Sequence, residues 1–161
     1  MNNINKLDSF DFKILNAVQV NNRVTSAELA REVGLSSSAC QRRLNSLRKA
    51  GIIEKDISVL NRNKLNRKIT IIVQILSDIE GAEHDKEFKK SMLSAPEVMQ
   101  CYYVTGDYDY VVIATFNEMG DYEEFTKKYF LKDPNIKRFN SMVVMNKVKE
   151  NLSIPINWYY W

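Results

Sequence analysis

The sequence predicts an α+β protein of two parts, a three-helix module followed by a βαββαβ domain built on an antiparallel sheet. Three observations predict it. Apolar residues recur at helical spacing between capping residues through residue 50, and from Ile69 onward β-branched runs alternate with amphipathic stretches. Charge divides along the same line: residues 1–68 carry 13 Lys/Arg against 6 Asp/Glu, a balance of +7, and residues 69–161 carry 10 against 14, a balance of −4.

The first helix starts at Asp8, whose carboxylate can cap free backbone N–H groups, and runs through Phe12, Ile14, Leu15 and Val18 before its pattern fails at Asn21-Asn22. Thr25-Ser26-Ala27-Glu28 has the spacing of a capping box, so a second helix opens there and stops at Gly34, a residue free to take the left-handed turn after a helix. Ser36 caps a third helix that reaches Gly51. On it Cys40, Leu44 and Leu47 form one stripe toward a core, and Ser38, Arg42, Asn45 and Lys49 form the opposite one, with Gln41, Ser46 and Arg48 on its flanks. From Ser36 to Ala50 the chain has Arg42, Arg43, Arg48 and Lys49 and no acidic residue. Ile52-Ile53 and Ile57-Ser58-Val59-Leu60, separated by Glu54-Lys55-Asp56, are expected to form a short β-hairpin, a wing. Residues 61–68 read as a basic linker closing a first domain of residues 1–60.

In the second part, Ile69 to Leu76 is β-branched and too short for a lone helix, so it is read as a strand. Glu83 to Ser94 is an amphipathic helix halted before Pro96. Val98 to Thr105 and Tyr108 to Phe116 are strands about a Gly106-Asp107 turn, Asp121 to Leu131 is a second helix, and Ile136 to Lys149 a final strand. This β-α-β-β-α-β order is that of a ferredoxin-like domain, assigned to residues 69–150, with both helices on one face of the sheet. The uncovered face would expose Ile, Val and Tyr, which predicts a homodimer formed sheet to sheet. Residues 151–161 form an aromatic C-terminal tail, Trp158-Tyr159-Tyr160-Trp161, expected either to pack on a neighbouring subunit or to be poorly ordered.

Composition narrows the function. Of 161 residues 45% are hydrophobic and 27% charged, no apolar run is long enough to cross a bilayer, and a cytoplasmic location without membrane association is expected. Cys40 and Cys101 lie far apart without metal-ligand spacing and are expected as buried free thiols. His84, among Glu83, Asp85 and Lys86, is expected in solvent. No nucleophile–base set, metal cluster or phosphate-binding glycine loop is present, so no catalytic residue, metal or cofactor is assigned and the chain is not expected to be an enzyme.

Three helices with a tight turn before a basic third helix match a winged helix-turn-helix, whose third helix enters the major groove of double-stranded DNA. Gln41 and Arg42 suit base edges, and Thr25, Ser37, Ser38, Arg48 and Lys49 suit phosphate oxygens; Arg43 and Asn45 complete the candidate set.

Leu7-Asp8-x-x-Asp11-x-x-Ile14-Leu15, Glu28-Leu29-Ala30-x-x-Val33-Gly34-Leu35-Ser36 and Cys40-x-Arg42-Arg43-x-x-x-Leu47-x-x-x-Gly51-Ile52-Ile53 resemble the Lrp/AsnC (leucine-responsive/asparagine-responsive, feast/famine) regulators. Val104-Thr105-Gly106-x-Tyr108-Asp109-Tyr110 and Val144-Met145-x-x-Val148-Lys149 extend the resemblance to nearly the whole chain. It implies a transcription regulator whose dimers join through their sheets, often into a ring of four dimers, with an amino acid bound between dimers near the loop after the second strand. On matching positions the effector candidates are Val104, Thr105, Gly106, Asp107, Asp109 and Tyr110, faced by Ser141. Gly106 would let backbone N–H groups approach a carboxylate, and Asp107 or Asp109 could pair an ammonium group. A mainly architectural DNA-wrapping protein without a working effector site is the alternative. The chain departs from the family pattern at Ser37 and Ala39, where prolines are common, at Asn61-Arg62 in place of Asp-Pro, at Asn66 in place of Gly, and at Ser141 in place of Thr.

Overall fold

A computed structural model describes residues 7–78 and 82–156, with side chains of residues 82–84 left aside. The aromatic tail from Trp158 and the His84 side chain therefore lie outside the described residues. The chain forms two units, one running through Val59 and resuming at Lys149, the other spanning Leu60–Val148.

The first unit holds α1 (Ser9–Val20), α2 (Ser26–Val33) and α3 (Ser37–Lys49). Each start is specified locally. Asp8 and Asp11 form a reciprocal capping box, Thr25 and Glu28 another, and the Ser36 hydroxyl accepts from the Ala39 N–H at 3.2 Å. Each such cap contributes about 1 kcal/mol. Gly34 ends α2 at φ +82°, where a side chain would strain the backbone. Ile14, Val18, Leu29, Val33, Cys40, Leu44 and Leu47 make the core of this unit.

The expected wing hairpin does not form: residues 52–60 hold no strand. Ile52 and Ile53 instead fold back over the end of α3, their N–H groups donating to the Leu47 carbonyl at 3.0 and 3.4 Å, and their side chains pack on the core. One half of the hairpin is thus used to close the helix, and Ile57, Val59 and Leu60 stay exposed without a strand to pair with. The segment after Val148 also runs differently from a terminal strand. The Ile154 N–H and carbonyl exchange hydrogen bonds with the Gln19 side-chain amide at 3.1 Å each, and the Ser153 hydroxyl donates to the Gln19 carbonyl at 3.2 Å, so this segment lies along α1.

The second unit opens with a 3-10 turn (Arg62–Leu65) capped by Asn61. Asn66 follows at φ +58°, a left-handed position that asparagine tolerates, which is how the turn proceeds where a glycine is usual. Then come β1 (Ile69–Ser77), α4 (Ala82–Ser94), β2 (Val98–Tyr103), β3 (Tyr110–Phe116), α5 (Met119–Tyr129) and β4 (Ile136–Val143). The strand order is β2-β3-β1-β4, every neighbouring pair antiparallel, as the ferredoxin-like reading requires. Ile71, Val73 and Ile75 of β1 pair with Ala114, Val112 and Tyr110 of β3, and this face is buried against Phe88 and Met92 of α4 and Tyr122 and Phe125 of α5. Side chains alternate along a strand, so Ile72, Gln74, Val111, Ile113 and Met142 point to the other face, half-buried or exposed. β4 stops six residues short of the expected Lys149; past Val144, whose N–H still donates to the Thr70 carbonyl at 2.9 Å, Met145 and Val148 are exposed. Cys40 is buried as expected, but Cys101 is exposed because β2 is an edge strand.

Candidate nucleic-acid interface and effector loop

α3 presents an open surface lined by Ser38, Gln41, Arg42, Asn45, Ser46 and Lys49. The apolar stripe Cys40, Leu44, Leu47 holds the helix to its unit and leaves these six outward. Arg42 and Lys49 are exposed, and neither pairs with a carboxylate among the described residues. Gln41 and Asn45, one turn apart, are linked by a hydrogen bond from Gln41 Nε2 to Asn45 Oδ1 at 3.1 Å. Ser37 is exposed at the first turn, and the Ser36 and Ser38 hydroxyls share a hydrogen bond at 3.2 Å.

Three members of the candidate set are drawn elsewhere. Arg43 turns inward, its two terminal nitrogens each 2.8 Å from Asp8 and Asp11, with its guanidinium over the Phe10 ring at 5.6 Å. It fastens α3 to the start of α1, and its guanidinium is engaged inside the chain rather than on the open surface. The hydrogen bond that Arg43 donates to Asp11 raises the Arg43 pKa further. Burial pulls the Asp8 carboxyl up, but the Asp11 N–H and the Arg43 guanidinium together hold it below its ordinary value. Arg48 is paired with Asp56, Nη2 donating at 3.3 Å and Nε 3.1 Å from the second oxygen. Thr25 spends its hydroxyl on Glu28 in the capping box, at 2.7 Å. Ser26 was absent from the candidates, yet its hydroxyl donates to Gln41 Oε1 at 2.7 Å. Its place at the first turn of α2, the helix that packs against α3, was the available signal.

At the far end of the sheet in the second unit, residues 104–109 form a loop of six residues rather than a two-residue Gly-Asp turn. The Val104 N–H donates to the Asp109 carbonyl at 2.8 Å, closing it, and Gly106 sits at φ +122°, where other residues are strained. The Asp109 carboxylate is engaged through one oxygen: its Oδ2 accepts from the Ser77 N–H at 2.8 Å and the Ser77 hydroxyl at 2.9 Å, and its own N–H donates to the Ile75 carbonyl. It ties the loop to the end of β1. Thr105, Gly106 and Asp107 are exposed, and Val104 is half-buried. The Tyr110 side chain is buried, its hydroxyl bonded to Asp85, which also pairs with Lys89; burial first, and then the Asp85 charge, push the phenol pKa well up. That removes the Tyr110 hydroxyl from the loop surface. Ser141, on β4 opposite Val73, shares a hydrogen bond with the Tyr122 hydroxyl of α5. The resemblance placed Ser141 toward the loop; within one chain it lies on another strand, with β1 and β3 between it and β2.

Among the described residues no group of three or more His, Cys, Asp or Glu side chains could hold a metal, and no helix is long and apolar enough to cross a membrane.

Comparison with known proteins agrees with both halves. Residues 7–54 match a winged helix-turn-helix DNA-binding model, and residues 70–154 match the Lrp/AsnC ligand binding domain. An uncharacterized HTH-type transcriptional regulator of Sinorhizobium fredii is 48% identical over 94% of this chain and 89% of its own length. A leucine-responsive regulatory protein of Haemophilus influenzae is 31% identical over 89% of this chain and 87% of its own. A transcriptional regulator of Neisseria meningitidis, solved in complex with L-Met, superposes with a TM-score of 0.89 at 31% identity, covering 94% of this chain and 97% of that one.

Proposed function

Since this chain belongs to the Lrp/AsnC family of transcription regulators, we propose that it reads double-stranded DNA with α3 and is modulated by an amino acid or related metabolite at the loop of residues 104–109. The observation that carries the DNA half is the unopposed outer face of α3, where Arg42 and Lys49 stand without acidic partners. A cation that no carboxylate among the described residues neutralises costs little in water and gains when a phosphate or a guanine edge replaces that water. Gln41, Arg42 and Asn45 lie over base edges in this reading; Ser37, Ser38 and Lys49 take phosphates, with Thr25 and Arg48 at the margin of the interface.

For the effector, the L-Met complex of the Neisseria meningitidis relative favours an amino acid as ligand. The backbone N–H groups at Thr105 and Gly106 meet its carboxylate, the Asp107 carboxylate pairs its ammonium group, Val104 lines the site, and Asp109 and Tyr110 hold the loop's shape from beneath. Ser141 contributes from a neighbouring subunit. The open face of the sheet, with Ile72, Val111, Ile113 and Met142, forms the homodimer, and dimers assemble further, up to an octamer. The residues through 60 form the DNA-binding domain, 61–68 the linker and 69–150 the sensing domain, acting in the cytoplasm where the DNA is.

Competitive mobility shift at fixed salt tests the DNA half. Arg42→Ala relaxes the preference at one base pair by about 1–3 kcal/mol while leaving binding to random DNA nearly unchanged. An equal loss on every sequence would move Arg42 to the phosphates. Calorimetry with the twenty amino acids, read beside light scattering, tests the other half: one of them binds and shifts the assembly, and heat from none of them removes the effector.

A further inference from the structure

The hydrogen bonds around Gln41 run in one direction. The Ser26 hydroxyl at the first turn of α2 donates to Gln41 Oε1 at 2.7 Å, and Gln41 Nε2 donates to Asn45 Oδ1 at 3.1 Å. Both amide oxygens on the outer face of α3 are therefore already accepting. Each oxygen keeps a second lone pair but is turned toward the donor it already meets, and the N–H groups without a partner in these bonds are one on Gln41 and two on Asn45. Arg42, beside them on the same open surface, offers only N–H groups as well.

In the major groove guanine shows two acceptors, O6 and N7, and adenine shows N7 beside an N6 donor. Glutamine or asparagine grips adenine bidentately only if its carbonyl oxygen is free to accept from N6. A surface whose amide oxygens are held toward donors inside the protein is badly placed for that grip and keeps its match to guanine.

We propose that Ser26, a residue outside the reading helix, is a specificity-determining positioning residue: by holding the Gln41 carbonyl back toward α2 it makes the Gln41–Asn45 pair a donor-only reader that selects guanine over adenine. This deepens the DNA-reading role assigned to α3 and rests on it. Ser26 touches no base; it acts through Gln41, and removing its hydroxyl frees the Gln41 amide to turn its oxygen outward.

Selection of bound sites from a randomised duplex pool by the full-length protein, at one fixed salt concentration, tests this with the wild type and with Ser26→Ala, Ser26→Thr and Gln41→Ala. Gln41→Ala identifies the base pair that Gln41 faces, as the position whose preference disappears. At that position the wild type prefers guanine to adenine by about tenfold, which is ~1.4 kcal/mol. Ser26→Ala brings the two bases to within about twofold, and Ser26→Thr, which keeps the hydroxyl, retains the wild-type preference. Affinity for random DNA and the thermal unfolding midpoint are the same for all three Ser26 forms, a result that a merely structural role for Ser26 would not give. Unchanged preferences in Ser26→Ala, or a wild type that prefers adenine at the Gln41 position, overturns the proposal and leaves the DNA-reading role standing. A wild type with no preference at any position overturns both.

Discussion

The two units treat their polar side chains in opposite ways. In the sheet unit they close on one another: Asp109 on Ser77, Tyr110 on Asp85 and Lys89, Tyr122 on Ser141. On the outer face of α3 the cations Arg42 and Lys49 are left open. α3 repeats the contrast within adjacent residues, Arg43 being fastened to two carboxylates of α1 and Arg42 to none. Type and sequence position alone do not separate a residue that holds the protein together from one that waits for a partner. Where its charge is spent does.

Substitutions and a change of pH probe that contrast, from the largest effect down, with Asp107→Ala set beside Asp109→Ala as its counterpart. Asp109→Ala strips the half-buried Ser77 N–H and hydroxyl of their acceptor and costs about 2–3 kcal/mol of stability in denaturant unfolding. Asp107→Ala, two positions earlier and exposed, changes stability by less than about 0.5 kcal/mol but weakens amino-acid binding in calorimetry. The reverse pattern would exchange the two roles. Arg43→Ala releases α3 from α1 and costs about 1–2 kcal/mol, discounted for the exposure of Asp8, as read by the unfolding midpoint. Base preference is unchanged in Arg43→Ala at temperatures where it is folded.

Acid weakens the same fastening. The Asp8 and Glu28 carboxyls are held below their ordinary values in the fold, so the stability they contribute is complete above those values, 3.8 and 4.5, and drains away as pH falls through the lowered ones. The thermal unfolding midpoint of the helices of the first unit, followed by circular dichroism, should therefore fall as pH drops below about 4. Asp8→Asn removes part of that dependence. The smallest effect belongs to Lys49→Ala, which lowers DNA affinity evenly across sequences and reduces the salt slope by about one, with no change in stability.

The starts of α1, α2 and α3 were legible because each cap is a local exchange between residues three apart, Asp8 with Asp11, Thr25 with Glu28, Ser36 with Ala39. The strand order of the second unit was legible for a similar reason, since β-branched runs and short connections leave few ways to build the sheet. What was not legible depends on residues far apart in the chain. Arg43 meets Asp11 across 32 positions, and Asp109 meets Ser77 across 32, so periodicity on one helix or one loop carries no trace of either pairing. The wing failed for a related reason. Ile52 and Ile53 have the look of a strand, but the carbonyl of Leu47 and the core beneath α3 take them first. On the candidate DNA surface, Arg43, Arg48 and Thr25 each have a partner inside the chain that one helix's periodicity does not announce.

The central claim is that the open cationic face of α3 recognises DNA sequence. Equilibrium competition between DNA upstream of the protein's own gene and random duplex of equal length, at one stated salt concentration, measures it directly. The account predicts binding to the upstream DNA at least about a thousandfold tighter than to random duplex, the ordinary margin of a specific regulator. Equal affinity for the two would contradict it, whatever the absolute strength of binding.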